Sequence, residues 1–130
     1  MGIRYEKDTI LNWINEMGKF LRLIVDSYDA FDEQTQEIDI EAGYQLYFSK
    51  QRDFFITADL TAILAFADEL DPAQVRPLAQ LLMYDGLIHD NQVLLAKSKQ
   101  LFERNMQKTG AFSFEDYDFL SKIDKALKKV

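Results

Sequence analysis

Asp85 and His89 stand four residues apart, close enough to face one another along a helix. A carboxylate that orients an imidazole makes a general base. With Tyr84 beside them, the three side chains could stand at the mouth of a ligand pocket. The same spacing equally describes a histidine held at a helix C-terminus by the dipole and a nearby acid. Nothing completes a catalytic set around them. His89 is the only histidine and there is no cysteine, which rules out disulfides, thiolate metal sites and histidine-rich or di-iron centres. The glycines (Gly2, Gly18, Gly43, Gly86, Gly110) are too scattered for a dinucleotide fingerprint or a phosphate loop. No GxSxG elbow occurs. Lys108-Thr109-Gly110 matches one fragment of the penicillin-binding signature without an SxxK partner, so it reads as a helix stop. No catalytic residue, cofactor or metal ligand is assigned from the sequence.

The other chemistry is that of surfaces. The chain has 130 residues and a net charge of −7, and the segment from Asp26 to Glu41 alone holds seven acids and no base. An EF-hand register from Asp26 fails, because Tyr28 and Ala30 fall where oxygen ligands are needed and the central glycine is missing. The segment reads as a solvated loop or as a steering surface for a basic protein partner, with Asp32, Glu33 and Glu37 at its centre. An acidic surface repels phosphate, so nucleic acid is not an expected partner, and −7 is too modest for a nucleic-acid mimic. Tyr44, Tyr47, Phe48, Phe54 and Phe55 crowd one stretch. Most belong in a core, but one or two could line a groove, with Tyr44, Tyr47 and Phe48 as candidate anchors. No apolar run approaches a membrane span, and the N-terminus lacks a signal peptide's apolar core. The expectation is a cytoplasmic protein that does not use a membrane.

All of these residues must be carried by helices, since no segment alternates in strand fashion. The organising stretch is Asp71 to Gly110. Asp71-Pro72-Ala73-Gln74 combines a cap, a proline at the first helical position and a capping-box partner. Val75, Leu78, Ala79, Leu82 and Gly86 then repeat on one face. This predicts a helix over Pro72 to Ile88, bent at Pro77, and an antiparallel partner over Asn91 to Thr109 with Asp90 as a plausible cap. Leu94, Ser98 and Leu101 form one line of the partner and Leu95, Phe102 and Met106 another, with Ala96 and Ser98 small enough for close approach.

Before this pair, the first helix is predicted over Asp8 to Tyr28, with a seam of Ile10, Ile14, Met17, Leu21, Ile24 and Tyr28. Leu11, Trp13, Phe20 and Val25 broaden that arc, which could also be covered by a second subunit as a homodimer through this helix. Gly18 in mid-helix suggests close approach of a neighbour. A second helix starts near Asp39 and presents Ile40, Tyr44, Tyr47, Phe48 and Gln51 on one side, with Gly43 permitting tight packing. A break is expected between Gln51 and Phe55, then a helix over Thr57 to Leu70, apolar almost all round and therefore central. A last helix opens at Ser113 with a stripe of Phe114, Tyr117, Leu120, Ile123 and Leu127, and with lysines at its negative end. The expected fold is all-α, a single compact bundle of five to six helices over residues 1–130.

Gly86, Ser98 and Phe102 occupy the small, small and aromatic positions of a tetratricopeptide-type hairpin, although Asp85 stands where leucine is expected and Asn105 where a small apolar residue is expected. One such repeat is visible. Asp8-Thr9-Ile10-Leu11-Asn12-Trp13-Ile14, Leu78-Ala79-Gln80-Leu81-Leu82-Met83-Tyr84-Asp85-Gly86-Leu87 and Thr109-Gly110-Ala111-Phe112-Ser113-Phe114-Glu115 resemble an uncharacterised family of small bacterial all-helical proteins. That resemblance implies a tetratricopeptide-like bundle and brings no activity. The functional expectation is a non-catalytic protein-interaction module, with a small-ligand pocket or enzyme site near Tyr84, Asp85 and His89 as the alternative.

Overall fold

The most deeply buried stretch, Leu78 to Gly86, lies in one helix, and the other described helices pack around it. A computed structural model describes residues 7–29, 39–110 and 113–128, without the side chains of Lys7, Asp8 and Asp29. Among the described residues there are seven helices and no strand: α1 (Lys7–Asp29), α2 (Ile40–Phe48), α3 (Arg52–Thr57), α4 (Leu60–Glu69), α5 (Pro72–Ile88), α6 (Gln92–Thr109) and α7 (Phe114–Leu127). Buried residues from all seven form one hydrophobic cluster.

α5 is the central element. Its start is built as the sequence predicts: the Asp71 carboxylate accepts from the Ala73 N–H at 2.9 Å and the Gln74 side chain accepts from the Asp71 N–H at 3.0 Å. The helix runs on through Pro77. The acceptor that Pro77 cannot serve is the carbonyl of exposed Ala73, where water can reach it. α6 returns antiparallel after a short turn: Gly86 packs on Leu95, while farther along the Ser98 hydroxyl donates to the Ala79 carbonyl at 2.7 Å. A Cβ on Gly86 would lie 2.7 Å from Leu95 Cγ, so the glycine is what lets the two helices close. The cap of α6 is Asn91, whose side chain accepts from the Leu94 N–H at 3.1 Å, rather than Asp90. Asp90 sits at φ 51° and turns the chain. Gly110 ends α6 at φ 67°, the left-handed stop its position predicts.

Several expectations are corrected. The interval from Gln51 to Phe55 is not a plain break: α3 begins there, giving one helix more than foreseen, and exposed Gln51 stands at its start. Aromatic density hid this short turn of helix. α4 is not central, for it buries only Ile63 and Ala67. Of its alanines, Ala67 is buried, Ala62 half-buried and Ala65 exposed. Ala96 is exposed, and the close α5–α6 approach is made at Gly86 and Ser98. Gly18 is exposed with nothing near its would-be Cβ, whereas one on Gly43 would overlap the Phe20 ring. The buried line of α7 runs through Asp116, Phe119 and Ile123, leaving Phe114 and Tyr117 exposed. Tyr28, at the end of the α1 seam, is partly exposed against Tyr84. The rest of that seam is taken up inside the molecule, where Met17, Leu21 and Ile24 are buried.

Candidate functional site

Asp85 lies in the last turn of α5 and is wholly buried. A carboxylate there must be neutralised or fully hydrogen-bonded, and three helices converge to do it. From α2, the Tyr44 hydroxyl donates to Oδ2 at 2.6 Å. From the first residue of α3, Arg52 donates through Nε to Oδ2 at 2.7 Å and through Nη2 to Oδ1 at 2.9 Å, a two-pronged ion pair. One turn along α5, His89 Nδ1 lies 2.8 Å from Oδ1. Its proton therefore sits on Nδ1, since a carboxylate can only accept. Four donors thus meet the roughly four lone-pair positions a carboxylate offers.

The supports of this cluster are also satisfied. The Arg52 backbone N–H donates to Glu41 Oε2 at 2.8 Å, which ties the α2–α3 corner together. Tyr44 stacks on Phe55 with ring centroids 5.0 Å apart. Burial, followed by the Asp85 charge, pushes the Tyr44 hydroxyl well above the usual phenol range. The hydrogen bonds to Asp85 raise Arg52 further still. Among the described residues, no buried side-chain nitrogen or oxygen lacks a hydrogen bond. Chemically the cluster is a clamp. Its most exposed member is His89, whose side chain is 48% exposed and whose Nδ1 is held by Asp85. Both hydrogen bonds of that ring run through Nδ1.

The structure separates other residues that the sequence grouped. Tyr84 turns away from Asp85, packing edge-on against Tyr28 and Phe119. Tyr44 and Phe48 are buried, and half-buried Tyr47 packs against Trp13 and Phe20 while its backbone carbonyl accepts from the Trp13 indole at 3.2 Å. Asp32, Glu33 and Glu37 lie outside the described residues. Of the same acidic segment, Asp39 caps α2 through Ala42 N–H at 3.0 Å, and Glu41 holds Arg52.

Two residues escaped the sequence reading. One is Arg52. The other is Lys97, whose buried ammonium donates to the carbonyls of Phe55, Ile56 and Ala58 at 2.8, 2.9 and 2.6 Å and so closes the C-terminal end of α3. Desolvation holds its pKa below the usual lysine range. The available signal was the same for both: a charged residue set inside an apolar line, Asp85 among Leu81 to Leu87 and Lys97 between Leu94 and Leu101, requires a distant partner.

Two hollows occur at the opposite end of α5 from His89. One, of about 170 Å³, lies between the end of α4, the start of α5 and the end of α6. A larger and more open one, about 610 Å³, reaches the start of α7. Neither is lined by Tyr84, Asp85 or His89. Among the described residues, no group of three or more potential ligands is placed to hold a metal ion, and no helix is long and apolar enough to cross a membrane. No family model, no curated protein and no solved structure matches this chain.

Proposed function

We propose that this chain is a non-catalytic helical interaction module, built around a tetratricopeptide-like hairpin of α5 and α6, that binds another protein through its exposed surface. The observation that supports it most is Phe114, 95% exposed at the first position of α7. An aromatic left in water at that level, with Tyr117 one turn on also exposed, is the usual mark of a binding surface. The titratable groups near Asp85 are meanwhile consumed in holding helices together. The anchor thus moves from Tyr44 and Phe48, which are core, to the start of α7. The test is capture of partners from native cytosol at low salt by the tagged chain, with Phe114→Ala in parallel. Loss of a stoichiometric partner in the variant is expected, and identical or empty captures from both chains would discard the reading. Charge reversal at Asp32, Glu33 and Glu37 tests whether such a partner is basic, and unchanged affinity at low salt rules that out.

One observation favours the alternative of a ligand or reaction site: the half-exposed His89 ring with Nδ1 held by Asp85 is oriented as a general base. His89→Ala should abolish any ligand-induced thermal shift found in a metabolite screen. A shift retained in that variant removes the alternative.

A further inference from the structure

The α5–α6 hairpin departs from its sequence pattern at Asp85 and at Asn105. Asp85 is accounted for by its four donors. Asn105 is not. Among the described residues its side-chain amide makes no hydrogen bond, and only its backbone carbonyl is used, by the Thr109 hydroxyl at 2.8 Å. The side chain is half-buried on the wall of the smaller hollow. Helical spacing builds that wall: near the end of α6, Arg104 and Lys108 form one row four residues apart, and Asn105 and Thr109 form the next. The first row reaches α4, where Asp68 accepts from both cations. This triad ties the end of α4 to the end of α6 and occupies the charges on the rim. Below it, Ala67 and Leu70 from α4 and Pro72 and Val75 from α5 supply an apolar bed. Leu70 and Val75 are only half-buried and keep apolar surface for a guest to cover.

Size, charge and hydrogen bonding together define the guest. An apolar cavity of ~150 Å³ holds a benzene ring, so about 170 Å³ takes one six-membered ring. An anion would have to draw Arg104 or Lys108 away from Asp68, and a cation would meet two bases, so the guest is neutral. A primary amide carries an acceptor and a donor side by side. Its closest complement is another carboxamide, which returns both bonds. We propose that this hollow binds a small neutral ring compound bearing a carboxamide, with the ring on Ala67, Leu70 and Val75 and the carboxamide paired with Asn105. The site lies at the far end of α5 from His89 and does not depend on the interaction-module reading.

The test is titration of the full chain with benzamide, followed by protein NMR. Saturable shifts centred on Ala67, Leu70, Val75 and Asn105 are expected, with a Kd on the order of millimolar for so small a molecule. Toluene, which lacks the carboxamide, should bind about 10-fold more weakly. Benzoate, whose charge finds no free partner, should also bind more weakly than benzamide. Val75→Phe fills the hollow from its own wall and should abolish the shifts while the circular dichroism of the parent is kept. Asn105→Leu leaves the hollow open and should bring benzamide down to the affinity of toluene. His89→Ala should titrate as the parent does. The proposal is overturned if benzamide gives no saturable shift up to its solubility limit, if the shifts map away from the hollow, or if Asn105→Leu binds benzamide as tightly as the parent. Benzoate binding more tightly than benzamide overturns it as well, because the rim charges would then be free to take an anion.

Discussion

Arg52→Met is the sharpest test of the clamp. The substitution keeps an unbranched apolar stem and removes the guanidinium, leaving the buried Asp85 carboxylate with only Tyr44 and His89 as donors. The two hydrogen bonds lost are charge-assisted, worth about 1.5–3 kcal/mol each, and breaking a buried ion pair from one side costs about 3–5 kcal/mol. The Arg52 side chain is 28% exposed, so its site can admit water to the abandoned carboxylate and the loss falls at the low end, about 3 kcal/mol. For a chain of this length that corresponds to a Tm lower by about 10 °C. Urea unfolding followed by far-UV circular dichroism and by Trp13 fluorescence measures it, and an unchanged m-value would show that the folded state keeps its extent. A second arm isolates the cause. Replacing the whole cluster by apolar residues (Tyr44→Phe, Arg52→Met and Asp85→Leu together) removes the stranded charge and should recover much of the loss. The reasoning fails if Arg52→Met stays within about 0.5 kcal/mol of the parent, or if the triple variant is less stable than Arg52→Met.

Lys97→Met strands three carbonyls at the end of α3 and should cost about 2–3 kcal/mol, with faster amide exchange over α3 than over α5 as the local signature in hydrogen-exchange mass spectrometry. Gly43→Ala and Gly18→Ala should have opposite signs. The first drives a methyl into the Phe20 ring and destabilises by about 1–3 kcal/mol, whereas the second adds a methyl in open space and stabilises by about 0.5–1 kcal/mol, both read from urea midpoints. Asp68 titrates at about 2 in the folded chain, below its ordinary value, because Arg104 and then Lys108 donate to it. Its contribution is therefore full above pH ~4 and is lost as pH falls toward 2. Since the pair lies at the surface, that contribution is under ~1 kcal/mol, and Asp68→Asn should flatten the acid limb of a stability-against-pH curve by no more than that.

The helices were legible where caps and periodicity agreed. Asp71-Pro72-Ala73-Gln74 and Gly110 mark their ends through backbone needs that are local in sequence, and α5 and α6 lie where those signals place them. Asp85 facing His89 was legible for the same reason. Arg52 was not: it lies 33 residues from Asp85, inside an aromatic stretch, and helical periodicity carries no information on which distant base answers a buried acid. Lys97 was missed on the same ground, since its amine reaches a helix end 39 to 42 residues away. Tyr44, Tyr47 and Phe48 could be recognised as aromatic but not apportioned between core and surface, because the deciding contacts come from α1, α3 and α5.

The misread register of α7 shows how a buried charge sets what the surface offers. Apolar spacing alone allows Phe114, Tyr117, Leu120, Ile123 and Leu127 as the inner stripe. The structure instead buries Asp116, whose Oδ1 accepts from Arg76 Nε at 2.7 Å, one turn before Phe119. Side chains advance about 100° per residue along a helix, so Phe114 falls on the side of α7 away from Asp116. Arg76 in turn lies over the Phe119 ring, so the ion pair and the apolar contact select the same rotation of the helix. Exposure of Phe114 thus follows from where an arginine on α5 finds its carboxylate. It follows that Arg76→Met should free α7 to rotate toward its apolar stripe, withdrawing Phe114 from solvent and weakening any association that depends on it.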